Sequence, residues 1–210
     1  PGKVAGIAFE AGAKVKAGDL LVSQDTAAEE ALLPGAEATV DLTKKNLDRY
    51  QSLFADKLVA QVELDKAVAS YRQAFSDLKS LRATLDKKAI RAPFSGRLGI
   101  RQVNLGQYLA AGDEIVTLQA LDPVFVDFML PQQHLEQLKP GLTIRLTSDA
   151  LSGKTIEGKV ATINPKVEEK TRNIRIQGLI DNPDELLRPG MYVDISVVLP
   201  EVKTVLAIPA

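Results

Sequence analysis

Residues 2–22, GKVAGIAFEAGAKVKAGDLLV, and residues 96–116, GRLGIRQVNLGQYLAAGDEIV, are two copies of one pattern, aligned without a gap at a constant offset of 94. Gly2 matches Gly96, Val4 Leu98, Phe9 Val103, Gly12 Gly106, Val15 Leu109, Gly18 Gly112, Asp19 Asp113, Leu21 Ile115 and Val22 Val116. In each copy short apolar segments are broken by glycine at regular intervals, which reads as strands joined by tight turns, with Gly-Asp supplying the positive-φ geometry of a turn. Each copy is half of a small sandwich and has an apolar face that it cannot bury alone. The repeat therefore predicts that the two copies pack together despite the 73 residues between Gln24 and Leu98.

The segment between the copies must leave and return at nearly the same place, and its apolar spacing changes from alternation to a helical period. Ala36, Val40, Thr43, Leu47, Tyr50 and Phe54 step by four and three, as do Leu64, Val68, Tyr71, Phe75 and Leu78, continuing through Leu81 and Leu85. A seam sustained on two arms predicts an antiparallel coiled-coil hairpin, with the four aromatic residues as packing. Thr26-Ala27-Ala28-Glu29 reads as a capping box for the first arm, and Pro34-Gly35 is expected to kink it or delay its regular part. Residues 55–59 lack seam continuity and serve as the turn. Arms of about 27 residues reach roughly 40 Å.

From Leu121 onward the pattern is strand-rich: Val124 to Leu130, Leu142 to Thr147, Thr155 to Asn164, Asn173 to Ile180 and Tyr192 to Leu199. Residues 131–138 read as a short helix with proline in its first turn, stopped by Pro140-Gly141. Five or so antiparallel strands with one helix suggest a small closed barrel, which removes exposed edges. Val202 to Pro209 begins a further element. The expected domains are thus residues 1–25 with 88–119 for the sandwich, 26–87 for the hairpin, 120–202 for the barrel and 203–210 for the start of a membrane-proximal domain.

Composition removes several function classes. Twenty-six basic and 27 acidic residues leave a net charge of −1, which offers no general attraction to nucleic acid. Without cysteine there is no disulfide framework, thiolate metal site or cysteine nucleophile, and one histidine with two methionines makes a poor supply of transition-metal ligands. His134 lies in a polar stretch without a nearby histidine or paired carboxylate and reads as a surface residue. Glu29, Glu30, Glu63 and Asp65 read as solvated faces with basic neighbours. Gly178 and the repeat glycines are spaced for turns and packing, and none forms a phosphate-cradling loop before a helix. No catalytic residue, metal site or cofactor is expected, and the chain is not expected to be an enzyme.

No apolar run approaches the roughly 20 residues a spanning helix needs. Pro1 enters a strand-like pattern at once, and Ala207-Ile208-Pro209-Ala210 stops within another. A longer protein is therefore expected on both sides.

The order of split sandwich, inserted hairpin and small barrel, an elongated multidomain α+β arrangement, resembles the lipoyl, hairpin and barrel series of the periplasmic adaptors. These are the HlyD-like membrane fusion proteins of tripartite efflux systems, and the nearest type is the resistance-nodulation-division multidrug one. Residues 90–96, Ile-Arg-Ala-Pro-Phe-Ser-Gly, and 187–191, Leu-Arg-Pro-Gly-Met, carry the resemblance most specifically, with the Leu121-Asp122-Pro123-Val124 junction and the Thr171-Arg172-Asn173 turn. It covers essentially the whole chain. At the hairpin tip the family typically has an arginine, a leucine four residues on and a serine seven beyond that, where this sequence has Arg49, Leu53 and Ala60. The third position departs from the pattern, and Ala60 forgoes a cap typically worth about 1 kcal/mol. Asp65 stands where related proteins often have an acidic residue. Arg49 offers a fork of donors for exposed carbonyls and Leu53 a small apolar anchor.

The resemblance implies an adaptor that couples a proton-driven inner-membrane efflux transporter to an outer-membrane channel protein, for export of drugs or other small amphiphilic compounds. It implies self-association into a ring or tube in the periplasm of a Gram-negative bacterium, with an inner-membrane anchor outside these residues. Nucleic acid is not an expected partner. One alternative is an adaptor of an ABC-type exporter or secretion system. Another is a lipoyl or biotinyl carrier, although the segment after Val22, Ser23-Gln24-Asp25-Thr26, has no lysine to modify.

Overall fold

Gly12 and Gly106 share a φ of +79°, and the next pair, Gly18 and Gly112, stand at +90° and +99°. The repeat is therefore structural at each turn. Asp19 accepts a hydrogen bond from the Lys16 amide at 2.7 Å, and its counterpart Asp113 accepts one from the Ala110 amide at the same distance. Left-handed backbone at these positions is what selects glycine. The computed structural model describes residues 1–148, 151 and 154–199, so Val202 to Pro209 and the expected 203–210 segment lie outside the described residues.

The first of two units is Pro1–Gln119. Its strands are β1 (Gly2–Ile7), β2 (Lys14–Val15), β3 (Leu20–Gln24), β4 (Ala89–Arg91), β5 (Gly96–Leu98), β6 (Tyr108–Leu109) and β7 (Leu118–Gln119). They form two sheets, ordered β4-β3-β1-β6 and β2-β5-β7. In the repeat, β5 corresponds to β1 and β6 to β2. β1 pairs with β6 and β2 pairs with β5, so the copies exchange strands and each sheet contains both. Neither copy can complete its hydrogen bonding alone, and Val4, Val22, Leu98, Val103 and Leu109 from the two copies share one nearly waterless core. Each such side chain contributes about 1.5–3 kcal/mol relative to exposure.

The 90–96 stretch is the clasp between the copies. Arg91 Nη1 donates to the Gly18 carbonyl at 2.9 Å, Ala92 is buried and exchanges main-chain hydrogen bonds with Gly18 and Asp19, and Ser95 Oγ accepts from the Ala17 amide at 3.0 Å.

Between β3 and β4 stand α1 (Ala27–Ala55) and α2 (Gln61–Lys88). Pro34 neither stops nor delays α1, which runs continuously from Ala27 with the proline inside it. The capping box does not form. Asp25 Oδ1 accepts from the Ala27 amide at 3.1 Å, Thr26 Oγ1 donates to Glu30, and Glu29 is instead paired with Lys88 at 2.7 Å. Lys88 also donates to the Asp25 carbonyl at 2.7 Å, so one ammonium ties the end of α2 to the start of α1. A second bridge between the arms, Arg82 to Glu37, spans 2.7 Å.

The seam differs in detail from its sequence reading. On α2 the apolar covered positions are Leu64, Ala67, Val68, Tyr71, Ala74, Leu78, Leu81 and Leu85, while Phe75 is 50% exposed. Ala74 thus holds the place assigned to Phe75, and Ala67 is covered along with Val68. The larger apolar residue attracts a hydrophobicity reading, but the 3.5-residue period decides which side faces the partner helix. Phe54 is likewise exposed, and Leu53 is the half-buried residue of that turn.

The second unit begins at Ala120. Its strands are β8 (Val124–Pro131), β9 (Thr143–Thr147), β10 (Ile156–Val167), β11 (Asn173–Ile180) and β12 (Asp194–Val197), with a short 3-10 helix, Gln132–Gln137, after β8. The described residues form one antiparallel sheet, ordered β12-β9-β10-β11-β8, curled around Ile144, Leu146, Val160, Ile174, Ile176 and Ile180. Gly178 is required by this curl, because a Cβ there would collide with Ile144 Cδ1. Asn182, almost fully buried, donates to the carbonyls of Leu121 at 2.7 Å and Leu187 at 3.0 Å and accepts from the Leu187 amide at 3.1 Å. One side chain therefore holds the entry to β8 against the approach to β12.

Candidate functional site

The connection between α1 and α2 is closed by main-chain hydrogen bonds: Asp56 to the Ser52 carbonyl, Lys57 to Phe54 and Leu58 to Leu53, with Lys57 in the left-handed region at φ +59°. Five residues suffice to reverse the chain. The consequence is that the side chains of the turn have no helix to pack on. Leu58 is 70% exposed and Val62 59%, and Phe54 is exposed nearby. An apolar cap therefore finishes the arm, where water contact is unfavourable unless something covers it.

The four residues assigned from sequence all lie at this end of the arm. Arg49 is exposed on α1, and its side chain has no ion pair or hydrogen bond among the described residues, which leaves its donors available. Leu53 is half-buried, one turn further on. Ala60 takes the N-cap position of α2 with extended backbone (φ −77°, ψ 152°) and makes no side-chain cap bond. Its carbonyl still accepts from the Glu63 amide at 3.0 Å. Asp65 is exposed and accepts from Gln61 Nε2 at 2.8 Å, so its carboxylate is engaged within α2 and not with Arg49. Glu63 pairs with Lys66 at 2.8 Å, and that hydrogen bond raises the lysine's pKa above its ordinary value.

Leu58 and Val62 were not singled out by sequence reasoning, and Phe54 was read as seam packing. The signal was available, since Leu58 and Val62 are large apolar residues that fall off the seam. At the base, the Lys88 hydrogen bond holds the Glu29 carboxyl below the usual glutamate range. His134 is half-buried and lies 3.2 Å from Gln133 Nε2, and among the described residues no cluster of histidine and carboxylate could hold a metal ion. No helix among the described residues is long and apolar enough to cross a membrane. What the tip presents is a set of exposed apolar side chains beside Arg49.

Residues 1–119 match the family model described as RND MFP, barrel-sandwich hybrid domain, and residues 123–201 match the CusB-like beta-barrel domain. An uncharacterized protein of Haemophilus influenzae is 32% identical over 95% of this chain and 52% of its own length. The antibiotic efflux pump periplasmic linker protein ArpA of Pseudomonas putida is 32% identical over 88% of this chain and 54% of its own. A crystal structure of a MacA-MexA chimera carrying the Pseudomonas aeruginosa MexA α-hairpin has the same fold, with a TM-score of 0.79 at 23% identity over 96% of this chain and 75% of that one. The chain spans about half the length of the curated relatives it matches. With its first 119 residues matched as a barrel-sandwich hybrid and the barrel model following in order, the chain belongs to the membrane fusion proteins of the RND type.

Proposed function

We propose that this chain is the coupling part of a non-catalytic periplasmic adaptor, which joins a proton-driven inner-membrane efflux transporter to an outer-membrane channel protein. Its cargo would be drugs or other small amphiphilic compounds. The observation that supports the reading is the uncovered apolar end of a two-helix arm. α1 alone, with 29 residues, extends about 43 Å, and Leu58 and Val62 stand exposed at its far end. In this reading Leu53, Leu58 and Val62 fill shallow pockets between helix ends of the channel, and Arg49 donates to their free carbonyls. Ala60 and Asp65 border the contact. A single arm encloses no conduit, so several copies associate side by side in a ring or tube.

The test uses the full-length protein in cells. Arg49→Asp and Leu53→Asp should each abolish efflux while expression and thermal unfolding stay unchanged, because Arg49 has no partner to lose and Leu53 is only half-buried. A photo-crosslinker at position 53 should capture the channel protein. Undiminished efflux in both variants would remove the tip from the mechanism.

A further inference from the structure

The curl of the second unit leaves a gap that its own hydrogen bonding does not bridge. β8 and β12 are the outer strands of the sheet, and among the described residues no ladder joins them. Between the start of β8 and the segment before β12 lies a cavity of about 430 Å³, with the half-buried Val124, Val126 and Val193 in its lining. That size falls within the ~300–1,000 Å³ of small-molecule sites. Two aromatic side chains lining it are left in water, Tyr192 at 85% exposure and Phe125 at 63%.

The walls are fixed before any ligand arrives. Asn182 pins the Leu187 main chain on both sides of its peptide, Ser148 Oγ donates to the Tyr192 carbonyl at 3.0 Å, and the Arg188 amide donates to Met191 Sδ at 3.2 Å. Arg188 also lines the cavity, and its guanidinium has no ion pair or hydrogen bond among the described residues. The carboxylate in the same lining, Asp127, already accepts from Gln177 Nε2 at 3.0 Å. One cation is therefore the unmatched polar group of an otherwise apolar, aromatic-edged cleft.

We propose that this cleft binds a small aromatic organic anion, with its flat apolar body against the half-buried Val124, Val126 and Val193 beside the two aromatic rings and its acidic group on Arg188. A guanidinium fork suits a sulfonate or carboxylate, and exposed rings gain by covering a planar ligand. The inference stands apart from the adaptor role, because it concerns residues of the second unit alone and its assay contains neither pump nor channel.

The purified full-length protein is titrated with 8-anilinonaphthalene-1-sulfonate by fluorescence, with calorimetry for stoichiometry. One saturable site per chain is expected. Arg188→Gln should weaken it about tenfold, the loss of one charge-assisted contact. The double variant Phe125→Ser, Tyr192→Ser should weaken it at least as much, and both should unfold at the wild-type temperature because the changed side chains are exposed. Neutral N-phenyl-1-naphthylamine should bind irrespective of Arg188→Gln. Ile100→Ser, which removes an exposed apolar side chain of the first unit, controls for adsorption and should change nothing. Absence of a saturable site, unchanged affinity in the cleft variants, or loss in Ile100→Ser would each overturn the proposal.

Discussion

Replacing Asn182 by alanine should unlock the second unit without touching the first. The substitution removes three hydrogen bonds, two donated to the carbonyls of Leu121 and Leu187 and one accepted from the Leu187 amide. Each is worth about 1 kcal/mol net, and the buried Leu187 amide is left without a partner, which adds a desolvation cost of about 1–2 kcal/mol. The sum is about 4–5 kcal/mol, a large part of the ~5–15 kcal/mol that holds a domain together. At about 4–8 °C per kcal/mol for a unit of this size, the melting temperature should fall by at least ~15 °C. Hydrogen exchange assigns the effect to its unit: amides of Val124–Leu130 and Ile174–Ile180 should lose protection, while those of Val4–Ile7 keep theirs. Asp122→Ala removes only the acceptor of the Asn182 amide, a 2.8 Å bond, and should cost about 1 kcal/mol. Equal effects for the two variants, or a melting change below about 3 °C for Asn182→Ala, would refute the assignment of Asn182 as the tie between the entry to β8 and the approach to β12.

Other outcomes follow from particular contacts. Gly18→Ala and Gly112→Ala should cost about 1–2 kcal/mol each and nearly the same amount, because both glycines hold left-handed backbone and neither has an atom within 4 Å of a new Cβ; urea unfolding compares them, and a large inequality would deny that the two turns are equivalent. Ala60→Ser should stabilise the hairpin by about 1 kcal/mol, since the extended N-cap backbone is in place and the Glu63 amide lies within reach of a hydroxyl; slower amide exchange over residues 61–66 measures it. Acid should loosen the base of the arm. The Glu29 carboxyl titrates below its ordinary value of 4.5, so its pairing with Lys88 contributes in full above that value and is lost as the pH falls through the lower folded one. Amides of Ala27–Leu33 should therefore lose protection on acidification in the native protein and show a smaller acid response in Glu29→Gln.

The repeat was legible because its glycines answer a local requirement: left-handed backbone admits few other residues, so the turns are written into single positions. The strand exchange was not, because the pairing of β1 with β6 and β2 with β5 is a relation between copies, and each copy reads the same whether it pairs with itself or with the other. Helix positions were legible and helix facing was less so. Phe75 outweighs Ala74 in hydrophobicity, yet Ala74 is the buried residue and Phe75 the exposed one, while Val68 is covered beside Ala67. Glu29 misled as a cap because its partner, Lys88, is 59 residues away in the chain. Pro34 does not delay α1, since one lost hydrogen bond can be outweighed inside a long packed helix. At the tip, attention to the expected pattern drew the reading to Arg49, Leu53, Ala60 and Asp65 and past Leu58 and Val62, which the fold leaves most open.

The insertion point explains how a sandwich tolerates so long an arm. β3 and β4, which precede and follow the hairpin, are neighbours in one sheet, with Val22 opposite Ile90 and Ser23 opposite Ala89. The ladder fixes the two ends of the insertion at adjacent positions whatever lies between them, so arm length never enters the packing of the sandwich. The hairpin in turn buries its apolar residues along its own seam and asks nothing of the sheets. What the two cores share is the base, where Lys88 reaches both Glu29 and the Asp25 carbonyl. A lever of about 43 Å converts a 5° tilt there into a displacement of about 4 Å at the far end, more than a hydrogen bond spans. A contact surface at the tip is therefore only as well placed as the ion pair and carbonyl that hold the base.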